Sequence, residues 1–213
     1  MFTHVDLKYK SRQVPKTSDP YLSLMSKEEV TKARNFHRTF PQYQETPLQN
    51  LKQMASYLGL GTVAVKDESF RYGLNSFKAL GGAYAMGRFL ADEVGRDISE
   101  LSYSVLTDEH FLKTLAPCTF FSATDGNHGR GVAWTAQMLH QRCVILMPKG
   151  TAKSRFDNIR ALGAEVTIED LNYENACGRL PGLRRRRPTV SSSRIPPGPD
   201  TLIFRPGSCR ATV

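Results

Sequence analysis

The sequence predicts an α/β protein in which helices flank a parallel sheet. Three short apolar segments indicate strands, at residues 119–124, 143–147 and 164–168, and segments of helical length separate them. Apolar strands that alternate with helices are typical of a parallel sheet covered on both faces. The alternation stops near Leu180, immediately after a strand that should lead to more sheet, so we expect an incomplete version of this fold.

Local signals place the remaining elements. Ser26–Glu29 has capping-box spacing, which predicts a helix start. Gly59 and Gly61 mark the end of a second helix that opens near Thr46–Pro47. The β-branched segment 62–66 predicts a strand. The further predictions are helices over 26–40, 44–58, 77–94 and 152–162, a helix that follows the turn ending at Gly131 and runs to about His140, a strand over 62–66 and a polar loop over 67–76.

Most of the net positive charge lies in the C-terminal segment of the chain. The formal net charge is +9, yet residues 181–213 hold seven Arg and one Asp and so contribute +6. This segment also contains six Pro and no amphipathic period, which predicts disorder. We therefore divide the chain into a lead-in and helix over 1–40, an α/β region over 41–180 and a disordered tail over 181–213. Two interpretations of the tail remain: a basic nucleic-acid-binding segment, or residues read in a non-native frame, which the abrupt Lys-free composition favours.

Composition narrows the protein classes. No apolar run is long enough to span a bilayer, and the N-terminus lacks the basic and apolar pattern of a secretory signal. The four cysteines lie far apart with no C-x-x-C pair, which fits reduced thiols better than a disulfide framework or a zinc site. We therefore expect a cytoplasmic protein with no metal centre.

A lysine at a predicted helix start is the first candidate for chemistry. Lys78 follows a strand and a polar loop, in the sequence Ser76-Phe77-Lys78. A lysine attacks an aldehyde only as the neutral amine, which burial, a neighbouring cation or the positive end of a helix dipole favours. The alternative is a solvated surface lysine, which is the commoner case for this position alone.

A glycine-rich turn is the second candidate. Thr124–Gly131 joins an apolar strand to a helix and contains three glycines. Glycines permit positive φ and close approach to a ligand, and a helix start supplies N–H donors for a carboxylate or phosphate. Asp125 can act as an acid or base, and Asn127 can donate to a ring oxygen. The alternative is an ordinary turn in which Asp125 caps the helix and Asn127 is left-handed. His128 is expected to pack or hydrogen-bond rather than to act as the base.

The two segments together resemble the fold-type-II pyridoxal-phosphate (PLP) enzymes, a group that includes serine/threonine dehydratases and tryptophan synthase β-like proteins. The fuller strings, at Lys66–Tyr84 and Thr124–Trp134, resemble the diaminopropionate ammonia-lyases in particular, and Met147–Gly150 and Leu162–Glu165 continue the similarity. It covers roughly residues 30–178 as an N-terminal portion, followed by the divergent tail. Two motifs in the right order and context make a specific signal.

The resemblance implies roles for individual residues. Lys78 would hold PLP as a Schiff base, and Asn127 would bond the cofactor ring oxygen. Asp125 would remove the α-proton of one substrate enantiomer; dehydratases of the group carry a small residue there. The reaction implied is α,β-elimination of 2,3-diaminopropionate to pyruvate and ammonia, an amino-acid catabolic step, by a homodimer. The backbone that would grip the substrate carboxylate is the run Asp125, Gly126, Asn127, His128 and Gly129.

Parts that the resemblance implies have no match in the sequence. The family holds the PLP phosphate in a downstream glycine-rich loop, whereas Gly178, Gly182, Gly198 and Gly207 are isolated. A residue for the pyridine nitrogen and a second acidic residue also have no counterpart. We therefore expect a truncated chain with weak or no activity. The alternatives are a serine/threonine dehydratase-like PLP enzyme and a non-catalytic fragment that binds nucleic acid through the basic tail. Steeply salt-dependent DNA affinity would mark the latter.

Overall fold

A computed structural model describes residues 25–116, 118–124, 126–170 and, for the backbone alone, 201–204. Two sheets and seven helices account for most of these residues. The helices are α1 (Lys27–Arg38), α2 (Lys52–Leu58), α3 (Lys78–Glu93), α4 (Tyr103–Leu106), α5 (Glu109–Thr114), α6 (Asn127–Met138) and α7 (Lys153–Arg160). The strands are β1 (Leu48–Asn50), β2 (Ala64–Lys66), β3 (Thr119–Ala123), β4 (Arg142–Pro148), β5 (Glu165–Glu169) and β6 (Thr201–Phe204).

The larger sheet has the strand order β5-β4-β3-β6. Strands β3, β4 and β5 are parallel, with Phe121 opposite Val144 and Ile145 opposite Val166. The residues of β4 from Cys143 to Met147 are all buried. Because successive side chains of a strand point to opposite faces, both faces of this strand are covered. The predicted α/β class and the three parallel strands are therefore confirmed.

Aromatic side chains join α1 and the segment after it to α6. Trp134 of α6 stacks on Tyr72 at a centroid distance of 4.5 Å and on Phe40 at 5.7 Å. Phe36 of α1 packs edge-on against Phe40 at 5.4 Å. Offset and edge-on aromatic pairs contribute beyond their buried area. This cluster fixes the segment around Tyr72, which precedes α3, against α6.

The single helix predicted over 44–58 is wrong. The first part of that segment is β1, which pairs antiparallel with β2 in a separate two-stranded sheet, with Leu48 opposite Lys66. Bonds outside the strands extend the pairing, since Asp67 N donates to Pro47 O at 2.9 Å and Leu51 N to Val63 O at 2.8 Å. Pairing with a distant strand thus overrides the local helix signal, and only α2 keeps it.

The remaining differences are local. The predicted loop 67–76 contains a 3-10 turn over Glu68–Gly73, and the predicted α1, α3, α6 and α7 are confirmed with ends shifted by one or a few residues. Two short helices, α4 and α5, and a 3-10 turn at Ile98–Glu100 have no counterpart in the sequence predictions. Asp97, Ser102 and Asp108 cap them through their side chains. Single turns of helix carry too few periodic positions to be recognised.

Four residues of the predicted tail, Thr201–Phe204, lie within the described part of the chain. The backbone of these four residues is β6, antiparallel to β3, with Phe204 opposite Thr119 and Thr201 opposite Ser122. An open strand edge offers unpaired N–H and C=O groups, and β6 satisfies those of β3. Residues 171–200 and 205–213 lie outside the described part, as do residues 1–24, so the domain boundaries stay predictions.

The buried Arg71 pairs with the half-buried Glu68 and links the 3-10 turn to the segment before β1. The Arg71 guanidinium donates from Nε to Glu68 Oε2 at 2.8 Å and from Nη2 to Glu68 Oε1 at 3.0 Å. Its remaining donors reach Thr46 Oγ1 and Gln44 O, both at 3.1 Å. The hydrogen bond from Arg71 is the main cause that lowers the pKa of the Glu68 carboxyl, and burial opposes it. The polar groups around this buried arginine are thus well matched.

His37 gives the folded state a pH dependence. Burial, assisted by the nearby Arg71 charge, lowers the pKa of His37 from 6.5 to about 4. The folded state therefore keeps the ring neutral while the unfolded chain protonates it, so the stabilisation is complete above pH 6.5 and is lost as the pH falls toward 4. At pH 5 we expect the free energy of unfolding to have dropped by roughly 2 kcal/mol from its value at pH 7.5.

Urea unfolding at the two pH values measures this drop, with His37→Gln as the matched variant. Glutamine keeps a polar side chain beside Tyr72 Oη, which lies 3.4 Å from His37 Nδ1, but it does not titrate. The variant should therefore lose most of the difference. An equal drop in both proteins would assign the pH dependence to other groups.

Candidate active site

The starts of α3 and α6 lie side by side. A Cβ built on Gly131 of α6 would fall 2.8 Å from Ala79 N and 3.1 Å from the carbonyl carbon of Lys78. A Cβ on Gly82 of α3 would lie 3.7 Å from Gly131 O. Asn127 begins α6 one turn before Gly131, about 6 Å along the helix axis. The structure therefore brings together the two segments that the sequence singled out.

Lys78 is the first residue of α3. Its backbone N donates to Ser76 Oγ at 3.3 Å, an interaction that stabilises the start of the helix. The side chain is exposed, as is that of Phe77, which is 58% exposed. The sequence argument favoured burial of this amine, and the described residues do not provide it. The position at a helix start, by contrast, is as predicted.

Thr124 organises the turn between β3 and α6. It is almost fully buried at 1% exposure, and its backbone N donates to Leu146 O at 2.9 Å. Its Oγ1 accepts from Gly126 N at 3.1 Å and from Gly129 N at 3.2 Å. Two of the amides predicted to grip a carboxylate are therefore already bonded within the protein. The first-turn amide of Asn127 stays a candidate, since a helix supplies it with no intrahelical acceptor.

The glycines of this turn serve packing rather than unusual backbone torsion. None of the positive-φ glycines in the described residues lies in the turn, and Gly126 itself is extended at φ 174°. The expectation of positive φ is therefore wrong here. A Cβ on Gly129 would fall 2.1 Å from Thr124 Cγ2 and 3.1 Å from Ile145 Cγ2. Glycine is required because the start of α6 presses against the end of β3 and against β4.

The remaining predicted site residues occupy different environments. Asn127 is exposed at the first position of α6, where its amide can reach a ligand, and it is helical rather than left-handed. His128 is half-buried and Gly126 is buried. Asp125 lies outside the described residues, between Thr124 and Gly126. No cluster of metal-ligating side chains occurs in the described ranges.

An open cleft of about 390 Å³ lies at the carboxyl end of β4, near the turn between β3 and α6. The residues at the end of β4 and the start of α7 line it, and they include Lys149, Gly150 and Arg155. Arg155 reaches toward the glycine turn, because a Cβ on Gly126 would lie 3.5 Å from Arg155 Nη1. Ligands of open α/β sheets bind at the carboxyl ends of the strands, where this cleft and the Thr124 turn meet.

Sequence reasoning assigned no role to three residues that shape the site, namely Thr124, Arg130 and Arg155. The hydroxyl of Thr124 carries the usual signal of a residue that caps amides at a helix start. Arg130 donates from Nη1 to Leu74 O at 3.1 Å, across 56 residues of chain. Nothing in the local sequence predicts the long-range contacts of Arg130 and Arg155, because they depend on how the elements pack.

The donor set fits the aldehyde end of PLP. These donors are a primary amine at Lys78 and a side-chain amide at Asn127. Both side chains are exposed, and they lie on adjacent helix starts. An aldehyde needs an amine to bind covalently, and a ring oxygen needs a neutral donor beside it. The described residues therefore supply partners for two parts of such a cofactor.

Comparisons with known proteins agree with the geometry. Residues 39–177 match the family model described as pyridoxal-phosphate dependent enzyme. Diaminopropionate ammonia-lyase of Salmonella typhimurium is 51% identical over 141 residues, which cover 66% of this chain and 35% of that protein. L-threonine dehydratase of the same organism is 34% identical over 133 residues, 62% of this chain and 21% of that protein.

A solved structure shows the same likeness in three dimensions. The crystal structure of Escherichia coli diaminopropionate ammonia lyase in complex with an aminoacrylate-PLP azomethine reaction intermediate is 43% identical, with a TM-score of 0.68. The match covers 76% of this chain and 40% of that one. This chain spans little more than a third of the length of the curated ammonia-lyases that it matches. The extent of the family match shows that the chain belongs to the pyridoxal-phosphate-dependent enzymes, with the fold-type-II architecture expected from its motifs.

Proposed function

We propose that this chain carries the lysine-bearing part of a PLP-dependent enzyme that eliminates ammonia from 2,3-diaminopropionate. The observation that supports this most strongly is the packing of the α3 start against α6 through Gly131. It sets the Lys78 amine and the Asn127 amide on neighbouring helix starts. The ammonia-lyase relatives at 51% and 46% identity favour this substrate over that of the dehydratases, which reach 34%.

Lys78 and Asn127 would hold the cofactor, Lys78 through a covalent bond from its amine and Asn127 by donating to the ring oxygen. When bound, PLP supplies an electron sink for the negative charge that develops at the substrate α-carbon. The first-turn amides of α6 would orient the substrate carboxylate, and the helix dipole favours an anion there. Because Gly126 N and Gly129 N are bonded to Thr124, we assign this contact mainly to the amide of Asn127 within the predicted run.

Asp125 would remove the α-proton of the substrate. It stands in the chain between β3 and α6, next to the carboxylate-binding amides. In the ionised form its carboxylate can take the α-proton of a substrate held there. Loss of that proton and of the β-amine gives aminoacrylate, which water converts to pyruvate and a second ammonia. A serine substrate would lose water instead and release a single ammonia.

The ratio of products distinguishes the ammonia-lyase from the dehydratase alternative. The chain is incubated with PLP and either 2,3-diaminopropionate or serine, and pyruvate and ammonia are measured. We expect two ammonia molecules per pyruvate from diaminopropionate and little pyruvate from serine. Preferential formation of pyruvate from serine, with one ammonia each, would favour the dehydratase. No pyruvate above the PLP-only background from either substrate would restrict the proposal for this chain to PLP capture by Lys78 and leave the elimination to the complete enzyme.

Asp125→Ala is the matched variant for this assay. It leaves Lys78 and Asn127 in place, so PLP should still bind. Pyruvate formation should fall by a factor on the order of 100, the usual contribution of a general base. Unchanged turnover in this variant would remove Asp125 from the proposed mechanism.

The complete enzyme is proposed to be a cytoplasmic homodimer that acts in amino-acid catabolism. Large apolar side chains are exposed on β1, α2 and β2, among them Leu48, Met54 and Tyr57. Exposed apolar side chains of this kind are candidates for the surface that the dimer would bury. No helix in the described ranges is long and apolar enough to cross a membrane.

A further inference from the structure

We infer that Arg130 is a positioning residue that holds the Lys78 loop against α6; the inference rests on the proposed function of Lys78. Arg130 is the fourth residue of α6, and its Nη1 donates to the carbonyl of Leu74 at 3.1 Å. Leu74 lies four residues before Lys78 and is itself buried, at 5% exposure. The contact therefore ties the loop that delivers the lysine to the helix that bears Asn127.

The adjacent residue of α6 grips the chain on the other side of the lysine. Gly131 lies against the backbone at Lys78–Ala79, where a Cβ would come within 2.8 Å of Ala79 N. Successive residues of α6 thus contact the chain before and after Lys78. Gly131 limits only how closely the helices approach, whereas the Arg130 hydrogen bond sets where the loop before the lysine sits.

The loop that Arg130 holds has a strained backbone. Tyr72 and Asn75 adopt positive φ, at 51° and 54°, and neither is a glycine. Gly73 between them has φ 69°. Such torsions persist only when surrounding contacts impose them. Stacking of Tyr72 on Trp134 at 4.5 Å fixes the start of the loop, and the bond to Leu74 O fixes its middle.

An unsatisfied donor also points to a positioning role. Arg130 Nε is buried and has no hydrogen-bond partner among the described residues. A buried donor left without a partner opposes folding and calls for an explanation. A methionine would avoid that cost and fill similar space, so the arginine is best explained by its bond to the Leu74 carbonyl.

Hydrogen exchange tests the inference without any cofactor. Wild-type chain and Arg130→Met are compared at the loop amides of Leu74 and Lys78, which donate to Arg71 O at 2.9 Å and to Ser76 Oγ at 3.3 Å. Because a charge-assisted bond to a backbone carbonyl is lost, exchange there should quicken by about tenfold, with little change in α1. Arg88→Met is the matched control: it removes a half-buried guanidinium from α3 that pairs with Glu29 at 2.8 Å, away from the loop.

A second experiment measures whether the loop position affects the rate at which Lys78 reacts with PLP. PLP is added, the adduct is reduced with borohydride, and the initial rate of labelling at Lys78 is followed by peptide mass mapping. Arg130→Met should label Lys78 about tenfold more slowly, since displacement of a reacting group lowers its rate steeply. Lysines remote from the loop should label at the wild-type rate. Arg130→Lys, which keeps the charge and one donor, should recover part of the rate.

Each result bears on the inference. Wild-type exchange and labelling in Arg130→Met would overturn it, as would an equal loss in Arg88→Met, which would indicate general destabilisation. If Arg130→Met fails to fold, Arg130→Lys decides, because intermediate exchange at the amides of Leu74 and Lys78 supports the inference and wild-type exchange refutes it. If the wild-type chain forms no adduct at Lys78, the proposed function fails separately, and the exchange comparison alone decides whether Arg130 holds the loop.

Discussion

Replacing Lys78 by alanine is expected to abolish reduced PLP adduct at this position and the absorbance of the Schiff base. Lys78 is the amine at the start of α3, next to the start of α6 that bears Asn127. Alanine removes the nucleophile, and the neighbouring backbone offers no substitute. The side chain is exposed and alanine is the best helix former, so the free energy of unfolding should change by about 0.5 kcal/mol or less. Loss of the adduct would thus not reflect unfolding.

Lys113→Ala is the matched control for this prediction. Lys113 is exposed on α5 and forms only an i,i+4 ion pair with Glu109, at 2.7 Å. Its removal should leave both the adduct at Lys78 and the absorbance intact. Borohydride reduction followed by peptide mapping measures both variants. An absorbance that survives in Lys78→Ala, or an adduct spread evenly over exposed lysines in the wild type, would contradict the assignment of Lys78.

The part of the fold that sequence predicted correctly is the part with strong local signals. Strands β3 and β4 are short, largely apolar segments, β5 is a short segment that contains Val166 and Ile168, and α6 and α7 fill the intervals between them. Parallel pairing requires such crossovers, so the local pattern also determines the sheet type. The segment 44–58 failed for the opposite reason. Its β1 residues form their strand hydrogen bonds with β2, and the local sequence of the segment does not indicate that pairing.

The site divides in the same way. Lys78 and Asn127 follow recognisable strand-to-helix transitions, so their positions at helix starts were predictable. The packing of those starts against each other depends on Gly131, and the spacing of the motifs alone does not show it. The role of Thr124 reverses part of the sequence argument. Its hydroxyl accepts from two of the amides that the sequence offered to a ligand, which moves the anion-binding role toward the amide of Asn127.

Exposure of Lys78 is consistent with the limited span of the chain. The ammonia-lyase relatives that it matches are nearly twice as long, and the described residues leave Lys78 and Phe77 open to solvent. A water-excluded site favours the neutral amine and strengthens polar contacts to a ligand. The described residues thus hold the lysine and the asparagine in place without the enclosure that efficient chemistry needs. We therefore expect covalent capture of PLP to be easier to detect than turnover.

The Gly129→Ala substitution is expected to lower the free energy of unfolding by about 3 kcal/mol, the upper end of the usual cost of overpacking. The new Cβ would lie 2.1 Å from Thr124 Cγ2 and 3.1 Å from Ile145 Cγ2. Thr124 cannot easily rotate away, because its Oγ1 accepts from two backbone amides and its side chain is buried. Relief therefore requires α6 to move from β3, which would also disturb the position of Asn127.

Gly81→Ala separates this steric effect from the general effect of glycine in a helix. Gly81 lies within α3, is exposed, and would place no Cβ within 4 Å of another atom. Alanine there should raise the free energy of unfolding by about 0.5–1 kcal/mol, because glycine is a poor helix former. Urea unfolding of both variants should therefore give changes of opposite sign. A stable Gly129→Ala protein would mean that the start of α6 does not press against Thr124, and the arrangement that brings Asn127 to the site would have to be abandoned with it.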